Sequence, residues 1–180
     1  MSTHTIRTLR LDDAAPLLAF ELANRAWFER HIDRRPDAFY SIEGVQAHVA
    51  QFLDEHAQGR MHPCVIVDKR GELIGRANLK DIDGQAGTAE VGYRIGEQQA
   101  GKGLATAALR YLIDLAQDEW QLASLCAYAI DGNAASICVL ERCGFVQGMA
   151  VPDIAIVAGN VVDGHAYALD LRAVGVDSAL

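Results

Sequence analysis

Two glycines precede a helix-like segment in the middle of the chain, in the run Ala100-Gly101-Lys102-Gly103-Leu104. Glycine lets the backbone approach a ligand closely and adopt positive φ angles. The first turn of a following helix has N–H groups without helical partners, and the helix dipole favours an anion there. The sequence therefore predicts a phosphate site built from backbone groups at this loop.

The nature of the phosphate ligand stays open at this point. Gly96 and Gly101-Lys102 match most of a P-loop, but the next residue is Gly103, where magnesium ligation needs Ser or Thr. A dinucleotide-binding fold also fits poorly, because no strand–GxGxxG–helix unit opens the chain. The two glycines could also mark no more than a turn.

A second group of polar residues follows further along the chain. Asn133 stands at the start of a short predicted helix, Ser136 lies in its first turn, and Gly144 ends it. Ser136 could be an ordinary first-turn residue, and Glu90 an ordinary strand residue in a salt bridge. The alternative is that both take part in acid–base chemistry.

The segments AEVGYRI, GKGLAT, NAAS and LERCGF together resemble the GNAT acetyltransferase superfamily, and within it the RimJ/RimL branch, which acetylates N-termini of ribosomal proteins. Phe20–Trp27 and Phe39–Gly44 are similar to the acceptor-side helices of that branch, and Asp163–Leu169 is similar to its last strand. The resemblance implies an α+β (mixed α/β) fold, a GNAT-type single domain with a central, mostly antiparallel mixed sheet flanked by helices. It also implies an acetyl-CoA-dependent N-acetyltransferase without a metal.

The resemblance further implies a role for each matched position. The loop would bind the CoA pyrophosphate, the edge of the preceding strand would pair with the pantetheine arm, and Asn133 would contact that arm. Ser136 would lie near the thioester sulfur and protonate or hydrogen-bond the leaving thiolate. The cofactor-binding positions are thus Val91, Tyr93, Ile95, Gly101, Lys102, Gly103, Leu104, Ala105, Thr106, Asn133 and Ser136.

Three positions depart from the family pattern. Ala100 stands where Gln or Arg usually opens the loop, and Ala107 replaces a common Glu; neither change removes a backbone contact. Ala155 falls where RimL-type enzymes have a Glu that is thought to act as the base. The base is therefore open, and Glu90, on the central strand, is the preferred candidate beside Ser136.

Hydrophobic periodicity predicts the elements that must position these residues. A first strand at Thr5–Arg10 precedes a helix that begins near Asp12, and Ser41 is predicted to cap another helix. The remaining predicted elements are a short helix at 26–28, a hairpin over 64–79, strands at 89–95 and 122–129, helices at 101–116 and 134–142, and two closing strands from 145.

The composition sets the remaining expectations. At 180 residues, 51% hydrophobic and 22% charged, the chain fits one globular domain over residues 1–180. A net charge of −8 without a basic run argues against nucleic acid as a partner. The chain has no membrane-length apolar run and no apolar signal-peptide segment, so the expectation is a soluble, cytoplasmic protein.

The acceptor is expected to be a primary amine, and its identity stays open. A protein N-terminus is favoured, with a small amine such as an aminoglycoside or polyamine as the alternative. A non-catalytic acyl-CoA-binding module is the rival of another class. The sequence is compatible with a monomer or a homodimer, and the four cysteines form no CxxC pair and are expected to be reduced.

Overall fold

The computed structural model describes residues 4–174, in which seven strands and six helices alternate with three short 3₁₀ turns. The strands are β1 (His4–Thr8), β2 (His62–Asp68), β3 (Leu73–Asp83), β4 (Thr88–Ile95), β5 (Ser124–Ile130), β6 (Val146–Val157) and β7 (Asn160–Asp170). The helices are α1 (Ala14–Ala23), α2 (Arg25–Phe28), α3 (Ile42–Ala57), α4 (Leu104–Asp118), α5 (Ala134–Arg142) and α6 (Leu171–Val174). The 3₁₀ turns are Leu11–Asp13, Asp37–Tyr40 and Glu97–Gln99.

All seven strands form one sheet in the order β1-β2-β3-β4-β5-β7-β6. Neighbouring strands are antiparallel except β4 and β5, which run parallel. The parallel ladder covers three pairs and ends at Glu90↔Cys126, whereas β4 stays paired with β3 as far as Ile95. The sheet therefore splits beyond Glu90, and the remaining edge of β4 on this side faces a gap.

Helices cover both faces of the sheet. On one face, α4 and α5 bury Ala108, Leu112 and Leu140 against the strands. On the other face, α1 and α3 bury Leu17 and Val45 in a second core. Because side chains alternate along β4, Ala89 and Val91 belong to the α4 core, and Glu90, Gly92 and Arg94 point toward the α1 and α3 face. The sheet thus has an α4 face and an opposite face that is covered by α1 and α3.

The predicted fold class is confirmed, with shifts at several element ends. The predicted helix at 101–116 begins at Leu104, since Gly101 and Gly103 have φ angles of 73° and 79° that lie outside a right-handed helix. The Ser41 cap is confirmed, because its side chain accepts a hydrogen bond from Gly44 N–H. Within residues 4–174, no helix is both long and apolar enough to cross a membrane.

Candidate active site

The loop between β4 and α4 presents a row of backbone donors. Gly101 and Gly103 adopt left-handed conformations, and Gly103 is the N-cap of α4 without a side-chain cap. Ala107 is the first residue here whose N–H donates into the helix, to the carbonyl of Gly103 at 3.0 Å. Within residues 4–174, no protein group accepts from the N–H groups of the five preceding donors, Gly101, Gly103, Leu104, Ala105 and Thr106. These unpartnered groups at a helix N-terminus can bind an anion.

A groove of about 610 Å³ lies beside this loop. Gly103, Leu104 and Lys102 line one side, and Lys69 and Arg70 of the turn between β2 and β3 line the other. Two of the backbone-donor residues, Gly103 and Leu104, therefore line the same space as the three cationic residues, and Asp68 lines it as well. That space suits a ligand with more than one phosphate.

Tyr93 of β4 reaches across the split in the sheet to α5. Its hydroxyl lies 3.1 Å from Ser136 Oγ, and the Asn133 side chain accepts from Ser136 N–H at 3.1 Å. Burial raises the pKa of Tyr93, with the Ser136 hydrogen bond opposing the shift, so the phenol stays protonated at neutral pH. The structure thus brings three predicted site residues together, and it holds Ser136 beside the unpaired edge of β4.

Glu90 lies at the last paired position before β4 and β5 separate. Its carboxylate forms an ion pair with Lys80 Nζ of β3, and 22% of the Glu90 side chain is exposed. Glu90 and Tyr93 are three positions apart on β4, so their side chains point to opposite faces of the sheet. Glu90 and Ser136 therefore approach the split from opposite faces.

Ala155 lies in β6 opposite Val162, and a register irregularity separates it from Val151. Its methyl side chain offers no acid–base group. A different titratable pair lies nearby in the same part of the sheet: His165 Nδ1 of β7 is 2.8 Å from Asp131 Oδ1, at the end of β5. Sequence reasoning did not find this pair, because 34 positions separate the two residues.

A buried charge cluster on the α1 and α3 face was also missed. Glu21 of α1 is fully buried and accepts from Arg76 Nη1 at 2.9 Å and from Arg94 Nη1 at 3.2 Å. Arg35 Nε lies 3.9 Å from the same carboxylate. Arg76 also contacts His48 Nε2 at 2.9 Å. The one sequence signal was Glu21 itself, a charged residue next to Phe20 on the apolar side of a predicted helix.

Residues 4–146 match the family model described as the acetyltransferase (GNAT) domain. The chain belongs to the GNAT acetyltransferase family. The probable N-acetyltransferase YjcK of Bacillus subtilis is 30% identical over 154 residues, which are 84% of this chain and 85% of that protein. The family assigned from the sequence is therefore confirmed, and the chain is an acetyl-CoA-dependent acetyltransferase.

Two solved structures show how far the GNAT fold agrees. The ribosomal-protein-S5-alanine acetyltransferase of Vibrio fischeri superposes with a TM-score of 0.89 at 23% identity, over 94% of both chains. RimJ of Mycobacterium smegmatis, in complex with CoA-disulfide, gives 0.88 at 24% identity, over 96% of this chain and 84% of the other. At these identities the likeness concerns the fold, which is the one predicted from the RimJ/RimL resemblance.

No group of three or more His, Cys, Asp or Glu residues within positions 4–174 is arranged to hold a metal ion.

Two histidines on segments that look polar in the sequence have structural contacts. His62 is 4% exposed and lies 2.9 Å from Thr8 Oγ1 and 3.0 Å from Trp120 Nε1. His48 packs 3.9 Å from the Phe52 ring, measured between ring centroids. Both histidines thus pack against neighbouring side chains, and His62 is the more buried of the two.

Proposed function

We propose that this enzyme transfers an acetyl group from acetyl-CoA directly to a primary amine, and that its preferred acceptor is the α-amine of a protein N-terminus. The observation that carries the cosubstrate assignment is the set of N–H groups of Gly101 and of residues 103–106, which have no acceptor within residues 4–174 and lie beside the open edge of β4. The RimJ structure with a CoA ligand supports this assignment, because its fold is shared.

Each part of CoA has a complementary part of the cleft. The pyrophosphate binds the backbone donors of the loop, and Lys102, Lys69 and Arg70 neutralise the phosphate charges. The pantetheine arm carries amide groups, so it pairs with the edge formed by Val91, Tyr93 and Ile95 as an added strand would. The thioester then lies close to the split, beside Ser136 and Asn133.

The reaction needs a neutral amine and a way to release the thiol. The amine nitrogen attacks the thioester carbonyl carbon, the N–C bond forms, and the C–S bond breaks. Ser136 Oγ donates a hydrogen bond or its proton to the leaving thiolate, and in the second case a proton from water restores the hydroxyl. The Tyr93 hydroxyl orients Ser136. The proton lost by the amine passes to Glu90 through water, because Glu90 stands where the two strands separate.

Three of the four cysteines are poorly suited to form an acyl-enzyme intermediate. Burial raises the pKa of Cys64 to about 12, and it also raises the pKa of Cys126 and Cys143. These thiols stay protonated near neutral pH, and a protonated thiol is a poor nucleophile. A single displacement step on a ternary complex therefore describes the site best.

The preferred acceptor follows from the small number of side chains in the site that can accept a proton from the amine. An α-amine has a pKa near ~7.8 and a lysine side chain near ~10.4, so far more of the α-amine is neutral at pH 7.5. Ala155 supplies no carboxylate from β6, and Glu90 is held by Lys80. A site with few proton acceptors favours an amine of low pKa, because more of that amine is already neutral. A small amine with a similarly low pKa is the second candidate.

The test compares one peptide with a free or an acetyl-blocked N-terminus, each carrying an internal lysine. Free CoA release and mass spectrometry should show modification of the free peptide at its α-amine, and the blocked peptide should react far more slowly. Equal rates for the two peptides would remove the α-amine assignment. Turnover with a panel of small amines but with neither peptide would favour the second candidate.

The Glu90→Gln variant tests the proposed base. Its rate near neutral pH should fall and should recover partly at higher pH, where solvent deprotonates the acceptor. A wild-type pH–rate profile for this variant would exclude Glu90 from the proton transfer.

A further inference from the structure

Among residues 4–174, the charge cluster around Glu21 contains more guanidinium groups than carboxylates. One carboxylate faces three guanidinium groups, those of Arg35, Arg76 and Arg94. His48 adds no negative charge, and burial together with the nearby arginines lowers its pKa to about 3, so it is neutral. Two positive charges are therefore in excess in a largely buried place. Such charges are costly unless an anion pairs with them.

Arg35 is the least satisfied member of the cluster. Its Nε is buried and, within residues 4–174, has no hydrogen-bond partner. Its guanidinium stacks on the Phe39 ring, 4.2 Å from the centroid. The titratable groups that act on it are Arg94, Glu21, Arg76 and Tyr40, and Glu21 is the single carboxylate among these. Burial lowers its pKa to about 10, so Arg35 remains charged at neutral pH.

Two of the three arginines in the cluster keep part of their surface exposed. Arg76 is 3% exposed, whereas the side chains of Arg35 and Arg94 keep 20% and 24% of their surface exposed. Arg94 uses one nitrogen on Glu21, and Arg35 approaches Glu21 at 3.9 Å without a hydrogen bond. The two arginines together can therefore offer several N–H donors to a ligand, in the planar arrangement that matches a carboxylate.

The position of Arg94 connects the cluster to the proposed reaction. Arg94 lies on β4 between Tyr93 and Ile95, and its side chain is on the same face as Glu90. Gly92 lies between Glu90 and Arg94 on that face, and the Lys80 side chain covers it, so that a Cβ on Gly92 would lie 3.3 Å from Lys80 Cε. Four positions along a strand span roughly 13 Å, which is within reach of two long side chains and a small ligand.

Two hydrogen bonds hold the segments next to the arginine cluster in place. Trp27 Nε1 of α2 donates to the Ile95 carbonyl at 3.2 Å. Asp33 Oδ1 accepts from Ile156 N–H of β6 at 2.5 Å, which ties the segment carrying Arg35 to the far side of the sheet. The second contact fixes the chain at Asp33, two residues before Arg35.

We propose that the amine acceptor carries a carboxylate close to its amine, and that Arg35 and Arg94 bind this carboxylate. The inference rests on the proposed function, because it assigns the acceptor of the same site. The carboxylate can belong to an acidic residue next to a peptide N-terminus or to a free amino acid. Both sources present the same group to the same two guanidinium ions.

The experiment uses acceptor pairs that differ in one charge. One pair is a peptide with Ser-Asp or Ser-Asn at its free N-terminus, and the other is a free amino acid and its amide. For at least one pair, wild-type kcat/KM should be higher for the carboxylate form by about tenfold or more, mainly through KM. The responding pair identifies the source of the carboxylate.

The variants then assign the preference to the cluster. In Arg35→Gln the ratio of kcat/KM between the charged and the neutral acceptor should fall toward one. Arg35→Lys should give an intermediate ratio, because lysine keeps the charge but lacks the planar guanidinium group. Arg34→Gln is the matched control, since Arg34 is 61% exposed and pairs with Asp37. It should keep the wild-type ratio.

Failure of this inference can be separated from failure of the proposed function. Equal kcat/KM for both members of each pair, or an unchanged ratio in Arg35→Gln, overturns the carboxylate site even when the α-amine is acetylated. Acetylation of the amino acid but of no peptide overturns the protein acceptor and keeps the carboxylate site. Calorimetry of the same pairs on the CoA-bound protein gives a readout independent of turnover, and equal affinities there also overturn the site.

Discussion

The two faces of β4 carry different kinds of groups that can interact with an anion. On the α4 face, the loop at residues 101–106 offers backbone N–H groups, and glycine conformation keeps them accessible. On the α1 and α3 face, guanidinium groups from three separate segments surround Glu21. The backbone site depends on local conformation, whereas the cluster depends on side chains that the fold brings together. Substitutions should therefore affect binding at the loop and stability at the cluster.

The largest effect is expected from Glu21→Gln. The change leaves Arg76 and Arg94 without their buried counter-ion, and removing one partner of a buried ion pair typically costs about 3–5 kcal/mol. Urea unfolding measures the loss. Glu29→Gln serves as the control, because its pair with Arg25 lies at the surface and should contribute at most about 1 kcal/mol. Similar losses in the two variants would contradict the burial argument.

Gly103→Val tests the loop. Gly103 has a φ of 79°, which a β-branched residue resists, and the new side chain would stand where the phosphate approaches. Strain of about 1–3 kcal/mol predicts that CoA affinity falls by about ten- to a hundredfold in calorimetry.

Gly159→Val is the matched control for the loop variant. Gly159 has a φ of 81° in the turn between β6 and β7, and an added Cβ meets no atom within 4 Å there, as at Gly103. It should lower the free energy of unfolding without changing CoA affinity. Equal CoA affinity in both valine variants would show that the conformation of the loop does not matter for binding.

Ser136→Ala is expected to separate catalysis from binding at the split. A group that acts on the leaving thiolate matters mainly in the transition state, so kcat should fall about tenfold while KM for acetyl-CoA changes little. Tyr93→Phe removes the hydroxyl that contacts Ser136 and should lower kcat by a smaller factor. An unchanged kcat in Ser136→Ala would assign a structural role to this residue.

The smallest expected effect concerns pH. The pKa of His48 is lowered to about 3 by burial and then by the nearby arginines, whereas an unfolded histidine titrates near ~6.5. The unfolded chain therefore binds more protons below pH 6.5, and stability falls as the pH decreases from there toward 3. Between pH 7 and 5.5 the loss from this group should be about 1 kcal/mol. His48→Gln should flatten this part of the stability curve relative to wild type.

The difference between the two faces also explains what the sequence could predict. The loop was predictable because Gly101, Gly103 and the following helix are close together in the sequence. The bounds of α5, Ala134–Arg142, were also predicted as observed, with Asn133 at its start. The start of α4 was misplaced, since helical periodicity does not show where glycines take positive φ. The Tyr93–Ser136 contact joins residues 43 positions apart, and the hydrogen bonds of Glu21 with Arg76 and Arg94 join residues 55 and 73 positions apart. No local sequence pattern connects residues at such separations.

The short ladder between β4 and β5 has a consequence for the lifetime of the protein. Three residue pairs between β4 and β5 join the part of the sheet formed by β1–β4 to the part formed by β5–β7, and the free edge of β4 lies beside these pairs. A cosubstrate that binds along the edge adds cross-sheet contacts that only the folded chain offers. Mass action then raises the free energy of unfolding, by about 2.7 kcal/mol when the free cosubstrate is at a hundred times its Kd. The resistance of this enzyme to proteolysis should thus follow the metabolic supply of acetyl-CoA.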